Sequence, residues 1–195
     1  MQRQILNFLT SVLTCCFTLF LISCNNNGDK TTDKDSTTTV TADQAITQAQ
    51  AVINAVYPDT AVSGTIKFDR EADGKLRMHL QLSIPSRSEK EVAVHIHEHG
   101  NCGDTAKLAH GHWNPTNEQH GQWGQGSYHS GDLGNVKIDK DGNGSLTLTS
   151  DRWTLGGDST KNILGKAIIV HGGMDDYKTQ PTGNAGNRIG CGVIQ

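Results

Sequence analysis

The chain has 195 residues, enough for one domain with extensions. Its apolar fraction of 34% and charged fraction of 19% are low for a wholly globular chain, so part of it does not build core. A net charge of −3 provides no electrostatic grip on nucleic acid or on an acidic membrane surface, and both classes of partner are set aside.

The first 24 residues read MQRQILNFLTSVLTCCFTLFLISC. One basic residue, Arg3, precedes an apolar run from Ile5 to Ser23, the pattern of a secretory signal peptide over residues 1–23. Leu21-Ile22-Ser23-Cys24 resembles the bacterial lipobox, in which cleavage precedes a diacylglycerol-bearing cysteine. The run approaches membrane-spanning length, so an uncleaved anchor is the alternative. Small Ser23 before Cys24 and polar Asn25-Asn26-Asn27 after it favour the lipoprotein. Residues 24–48 are then lipidated Cys24 followed by a disordered polar tether, and residues 49–195 are the domain. The expected location is the bacterial cell envelope. Asn25 is not the Asp associated with inner-membrane retention in enteric bacteria, which favours the outer membrane or periplasm.

Cys15 and Cys16 leave with the signal peptide, so the body keeps only Cys102 and Cys191. In an exported protein the simplest reading is one Cys102–Cys191 disulfide, with two free buried thiols as the alternative.

In chain order, Ala42–Val56 is rich in Ala and Gln and is expected to start as helix. The pattern then turns to strands. Ala61–Phe68 is followed by a turn at Asp69–Gly74. Leu76, Met78, Leu80 and Leu82 alternate with Arg77, His79 and Gln81. Glu91–His99 alternates again. Asn135–Lys140, a hairpin turn at Asp141–Gly144, Ser145–Ser150, Leu164–Gly172 and Arg188–Gln195 follow. About eight short strands and 22 glycines predict an all-β antiparallel sandwich or barrel. Two long stretches, 100–131 and 172–187, lack strand pattern, and loops of that length in a β domain are usually functional.

The body holds nine histidines, at 79, 95, 97, 99, 110, 112, 120, 129 and 171. His95, His97 and His99 stand at every second position of a strand-like run, so their side chains leave from one face. Residues i and i+2 are about 6.6 Å apart and i and i+4 about 13 Å. An imidazole reaches a metal at most roughly 6–6.5 Å from its own Cα. All three therefore share one ion only at full stretch. Either His95/His97 or His97/His99 is the working pair, and spacing alone does not choose.

The order HIHEHGNC, HGHWNP, QHG, HSGDLGN, IIVHGGMDD and GNAGNRIGCGVI closely resembles the Cu,Zn superoxide dismutase family from about Gln50 to the C-terminus. The resemblance implies an eight-stranded antiparallel Greek-key barrel of immunoglobulin-like sandwich architecture with two long functional loops. It implies one copper per subunit on His95, His97, His112 and His171. It implies one zinc on His112, His120, His129 and Asp132, with His112 bridging the two. Asp175 takes the place of an outer carboxylate bonding His95 and His120, and Arg188 that of a substrate-guiding cation beside the copper. Cys102–Cys191 matches the family disulfide. The implied activity is dismutation of superoxide to oxygen and hydrogen peroxide by alternate reduction and oxidation of the copper. Near-planar nitrogen donors suit Cu(II), and three nitrogens with one carboxylate suit structural Zn(II).

Several residues carry plainer readings. His79 faces solvent. His99 is a surface histidine just past the strand, dispensable for copper and activity. His110 is an exposed loop residue, with a weak extra ligand as the alternative. Arg188 paired to an Asp is the rival to its guiding role. The sequence departs from many family members in lacking a His-Gly pair before His95. Its loop after His171 is short, leaving Lys178 as the nearby cation besides Arg188. Monomer and homodimer are both open. A non-enzymatic copper- or zinc-carrying protein is the rival class, against which His112, Asp132 and Arg188 speak.

Overall fold

A computed structural model describes residues 45–195. The segment expected to be a signal peptide, with Cys15 and Cys16, and the expected lipidation site Cys24 lie outside the described residues. Eight strands follow in order: β1 (Gln48–Ala55), β2 (Ser63–Arg70), β3 (Leu76–Ser83), β4 (Glu91–His97), β5 (Asp132–Lys137), β6 (Asn143–Ser150), β7 (Ala167–His171) and β8 (Arg188–Val193). They form one sheet in the order β5-β4-β7-β8-β1-β2-β3-β6, and every paired neighbour is antiparallel. The β3–β6 and β4–β7 pairings skip strands, as Greek-key connections do. Edge strands β5 and β6 follow one another in the chain, and the sheet curls into a nearly closed barrel.

Strand alternation builds the core. Leu76, Met78, Leu80 and Leu82 of β3 point inward against Ile66 and Phe68 of β2, and Phe68 meets Trp153 edge-on at 5.9 Å. Each such fully buried side chain contributes about 1.5–3 kcal/mol. Helix was expected to begin within Ala42–Val56, yet Gln48–Ala55 is strand β1. Ala49, Ala51 and Ile53 face inward while Gln48, Gln50 and Val52 face out. Ala and Gln favour helix locally, but pairing on both sides, with β2 and β8, outweighs a propensity of a few tenths of a kcal/mol per residue. The hairpin turn falls at 139–142, where Gly142 N–H donates to Asp139 O, so Asn143 and Gly144 already belong to β6.

β4 is buried on both faces. Val92, Val94 and Ile96 enter the core, while Ala93, His95 and His97 point outward yet are covered. The cover is the two long loops. Trp113 N–H donates to Ile96 O, Ile96 N–H to Gly131 O, and Gly131 N–H to Trp113 O, so the segments around 113 and 131 clasp the end of β4. Cys102 and Cys191 are joined, with Cα atoms 5.8 Å apart, tying the first loop to β8.

Candidate metal centre

β4 and β7 are hydrogen-bonded neighbours, with His95 opposite Ile169 and His97 opposite Ala167. Ile168 and Val170 take the core side of β7, so His171 leaves on the outer face with His95 and His97. His112 joins them because it forms an isolated bridge with His97. The ring centroids of His95 and His97 are 6.4 Å apart, and His112 lies 3.9 Å from His95 and 5.1 Å from His97. His171 completes the ring of four at 5.0 Å from His95. A second group shares His112: His112, His120 and His129 form a near-equilateral triangle with centroids 5.4 to 5.6 Å apart, over Asp132. All seven residues are buried.

One nitrogen of most of these rings is held by the protein, and the other is left with no partner. The Nε2–H of His95 donates to Asp175 Oδ2 at 2.9 Å, and its Nδ1 is left without a partner. The Nδ1–H of His97 donates to His110 O at 2.8 Å and that of His171 to Gly186 O at 3.2 Å, leaving Nε2 unpaired in both. His120 Nε2–H donates to Asp175 Oδ1 at 2.9 Å. The Nδ1 atoms of His120 and His129 lie 3.0 and 3.3 Å from Asp132 oxygens, without hydrogen-bond geometry. A buried nitrogen without a partner is costly unless a ligand satisfies it. Here four converge in one group: His95 Nδ1 and the Nε2 atoms of His97, His112 and His171. The donor sets fit the two metals that the resemblance implied: four imidazoles for copper, three imidazoles and a carboxylate for zinc.

Asp132 is aimed by the backbone. Its Oδ2 accepts from His129 N–H at 2.9 Å and Gly121 N–H at 3.2 Å, which leaves Oδ1 directed at His112 Nδ1, 2.8 Å away. Asp175 joins the two groups by bonding one histidine of each. It is held in turn by Asn135, whose side chain accepts from Asp175 N–H and donates to Asp175 O, and by Tyr177 N–H on its Oδ1.

Burial sets the charges. It is the leading influence on His97, His112 and His171, pushing all three below the usual histidine range, His112 to about 4. Neighbouring imidazoles push the same way. Burial also opposes charge on His120, but Asp132 and Asp175 outweigh it and raise the ring to about 9. Burial works against the two carboxylates as well. Hydrogen bonds from the histidines nevertheless hold both well below the carboxylate range.

Arg188 opens β8, half-buried, and its guanidinium donates to the carbonyl oxygens of Ala106 and His110. No carboxylate neutralises it among the ion pairs of the described residues. Arg188 stands opposite His171 in the β7–β8 pairing and shares the His110 carbonyl with His97 Nδ1, which places it close to the four-histidine group. His79 is exposed and bonds Thr147, while His99 and His110 are exposed and outside both buried groups.

Sequence reasoning assigned no role to Asn135, Gln180, Gly183 or the His110 carbonyl. Gln180 clamps His120 by accepting from its N–H and donating to its carbonyl, both at 2.9 Å. Gly183 has φ +67, and a Cβ there would collide with the Asp175 carboxylate and His120 Nε2, so only glycine fits. Asn135 and Gly183 stood inside motifs already singled out. Gln180 and a backbone carbonyl carry no residue-type signal.

Fold and site together define a Greek-key β-barrel with two buried His/Asp metal sites sharing one imidazole. The family model "Copper/zinc superoxide dismutase (SODC)" matches residues 62–194, and the chain belongs to that family. Cu-Zn superoxide dismutases 2 and 1 of Aquifex aeolicus (strain VF5) are 41% and 40% identical over 109 residues. Those matches cover 54% of this chain and 64% of each relative, so the chain aligns with just under two thirds of their length. Cu-Zn superoxide dismutase 5 of Dictyostelium discoideum is 34% identical over 145 residues, 71% of this chain and 93% of the relative. A crystal structure of the clock protein EA4 has the same fold, with a TM-score of 0.66 at 33% identity, covering 76% of this chain and 93% of that one.

Proposed function

We propose that this chain is an exported, lipid-anchored superoxide dismutase that converts superoxide to oxygen and hydrogen peroxide. The observation that carries the catalytic reading is the shared residue. His112 turns its unpaired Nε2 to His95, His97 and His171, and its Nδ1 to Asp132, His120 and His129. The first set would hold copper and the second zinc, one of each per chain. When bound, the copper supplies one-electron redox chemistry to successive superoxide anions, and the zinc is a closed structural ion.

The remaining work falls to side chains. Arg188 is a fixed, unneutralised cation at the mouth and draws in a small anion. When not held by copper, His112 Nε2 would be the ring nitrogen placed to take up a proton and pass it to the outgoing peroxide. The second proton comes from water, so two superoxides and two protons give one oxygen and one peroxide. Asp175 accepts from the Nε2–H of His95 and of His120, which turns the Nδ1 of each ring toward its metal group.

Export rests on the apolar run from Ile5 to Ser23, and lipid attachment on Cys24, with the outer membrane or periplasm as the favoured site. A Cys102–Cys191 disulfide fits an oxidising compartment. The domain plan is residues 1–23 as signal, a lipidated tether from Cys24 up to β1, and the enzyme from β1 to residue 195. Metal analysis and a superoxide-removal assay on the purified full-length chain, with His112→Ala beside it, test the reading. The expected result is one copper and one zinc per chain with rapid superoxide removal that His112→Ala abolishes. A chain holding both metals without activity refutes the enzyme and favours a metal carrier.

A further inference from the structure

A third set of metal-ligating side chains stands on the surface, apart from both buried groups. Glu98, His99 and His110 are all exposed, and one donor atom from each lies within 4.8 Å of the other two. The rings of His99 and His110 meet edge to face, with centroids 4.4 Å apart and planes at 84°. None of the three enters an ion pair among the described residues.

The fold brings them together for a local reason. Glu98 and His99 follow directly on β4. The chain returns beside them because Glu98 N–H donates to Gly111 O at 3.1 Å and His99 N–H to Ala109 O at 3.2 Å. His110 sits at the centre of that return with φ +61 and ψ −142. Glycine takes that conformation freely, whereas a residue with a side chain is strained there. A histidine held at that cost, next to a second histidine and a carboxylate, points to a use for its ring.

We infer that Glu98, His99 and His110 form a third, solvent-facing site for a borderline divalent transition ion, Cu(II) or Zn(II). Two imidazoles and one carboxylate are the donors such ions prefer, and water completes the shell. Tetrahedral donors at about 2.0–2.2 Å from an ion sit roughly 3.4 Å apart. The three atoms must close in by roughly 1.4 Å at most, which exposed side chains achieve by rotamer adjustment. The site is independent of the proposed activity but lies against its scaffold. The His110 carbonyl accepts from both His97 Nδ1 and the Arg188 guanidinium, so an ion here rests on backbone that also supports the four-histidine group.

The test uses the full-length chain, loaded with copper and zinc, freed of excess metal, and titrated with Zn(II) by calorimetry with metal analysis alongside. One further equivalent is expected. His99→Gln and His110→Gly each weaken it at least tenfold, and His110→Gly relieves the backbone, so folding is not at stake. His79→Gln, at another exposed histidine, leaves it unchanged. No further equivalent, or one that survives both site substitutions, overturns the inference. A chain that fails to keep its first two ions counts against the proposed function instead. The third site is then read from the difference between the isotherms of the unmodified chain and His99→Gln.

Discussion

Replacing Asp175 by Asn isolates what a single buried carboxylate does for two metal sites. Asp175 Oδ2 accepts from His95 Nε2–H, and Oδ1 from His120 Nε2–H, each at 2.9 Å, while Tyr177 N–H adds a third bond at 2.7 Å. Asparagine keeps the shape but offers one acceptor oxygen and one donor amide. Whichever way it turns, one imidazole N–H meets a donor. That ring either rotates or moves its proton to Nδ1, the nitrogen that faces its metal group. Losing such a support typically lowers metal affinity 10–100-fold, about 1.4–2.7 kcal/mol. A buried donor left without a partner costs a further 1–3 kcal/mol or so of fold stability. The carboxyl is held well below its usual range by the two histidines, so the substitution also removes a full charge at pH 7. Chelator competition, read separately for copper and zinc, measures the effect, with circular dichroism confirming the fold. Because Asp175 touches one histidine of each group, at least one of the two affinities falls tenfold or more. Asp175→Asn holding both ions within twofold of the unmodified chain refutes the tautomer argument.

Three further perturbations read other parts of the molecule. Cys102→Ser/Cys191→Ser removes a crosslink spanning 89 residues, for which the chain-entropy relation gives about 4.6 kcal/mol. Urea unfolding is expected to show a loss of about 2–5 kcal/mol, and a loss under about 1 kcal/mol contradicts a crosslink that constrains the unfolded chain. Arg188→Glu slows superoxide removal, more at low salt than at high, while metal content stays intact. Metal loss in that variant means that Arg188 holds the loop rather than guiding the anion. In the metal-free chain, His97, His112 and His171 titrate below the ordinary histidine range, so the unfolded chain takes up their protons first. Stability is therefore highest above about pH 6.5 and falls as pH drops towards 4, with His112 alone worth on the order of 3 kcal/mol. His120, raised to about 9, works in the opposite sense: its contribution is full below about pH 6.5 and fades as pH rises through 9. The urea midpoint of the metal-free chain is expected to fall between pH 7 and pH 5, and a rise contradicts neutral burial of the three rings.

β3 was legible residue by residue, because alternation is a local property that any half-buried strand must show. The same period put His95, His97 and His99 on one face, and strand rise limited the chelate to two of them. The motifs that followed pointed to the ligand set, and the disulfide partners are the two cysteines of the barrel, Cys102 and Cys191. Tertiary structure decided what depends on distant partners. Residues 48–55 carry helix-favouring Ala and Gln, and only pairing with β2 and β8 makes them a strand. β4 ends at His97, so His99 leaves the buried face and meets His110 at the surface. The supports that aim the rings are the carbonyls of His110 and Gly186, the backbone amides on Asp132, and a gap that only Gly183 leaves open. Every residue has a carbonyl and all but proline an amide N–H, so residue type does not reveal which ones a fold will bring to a metal centre. For this chain the sequence by itself supplied the metal-capable side chains and their order, and the tertiary structure decided which of them meet and which nitrogen of each buried histidine is left without a partner.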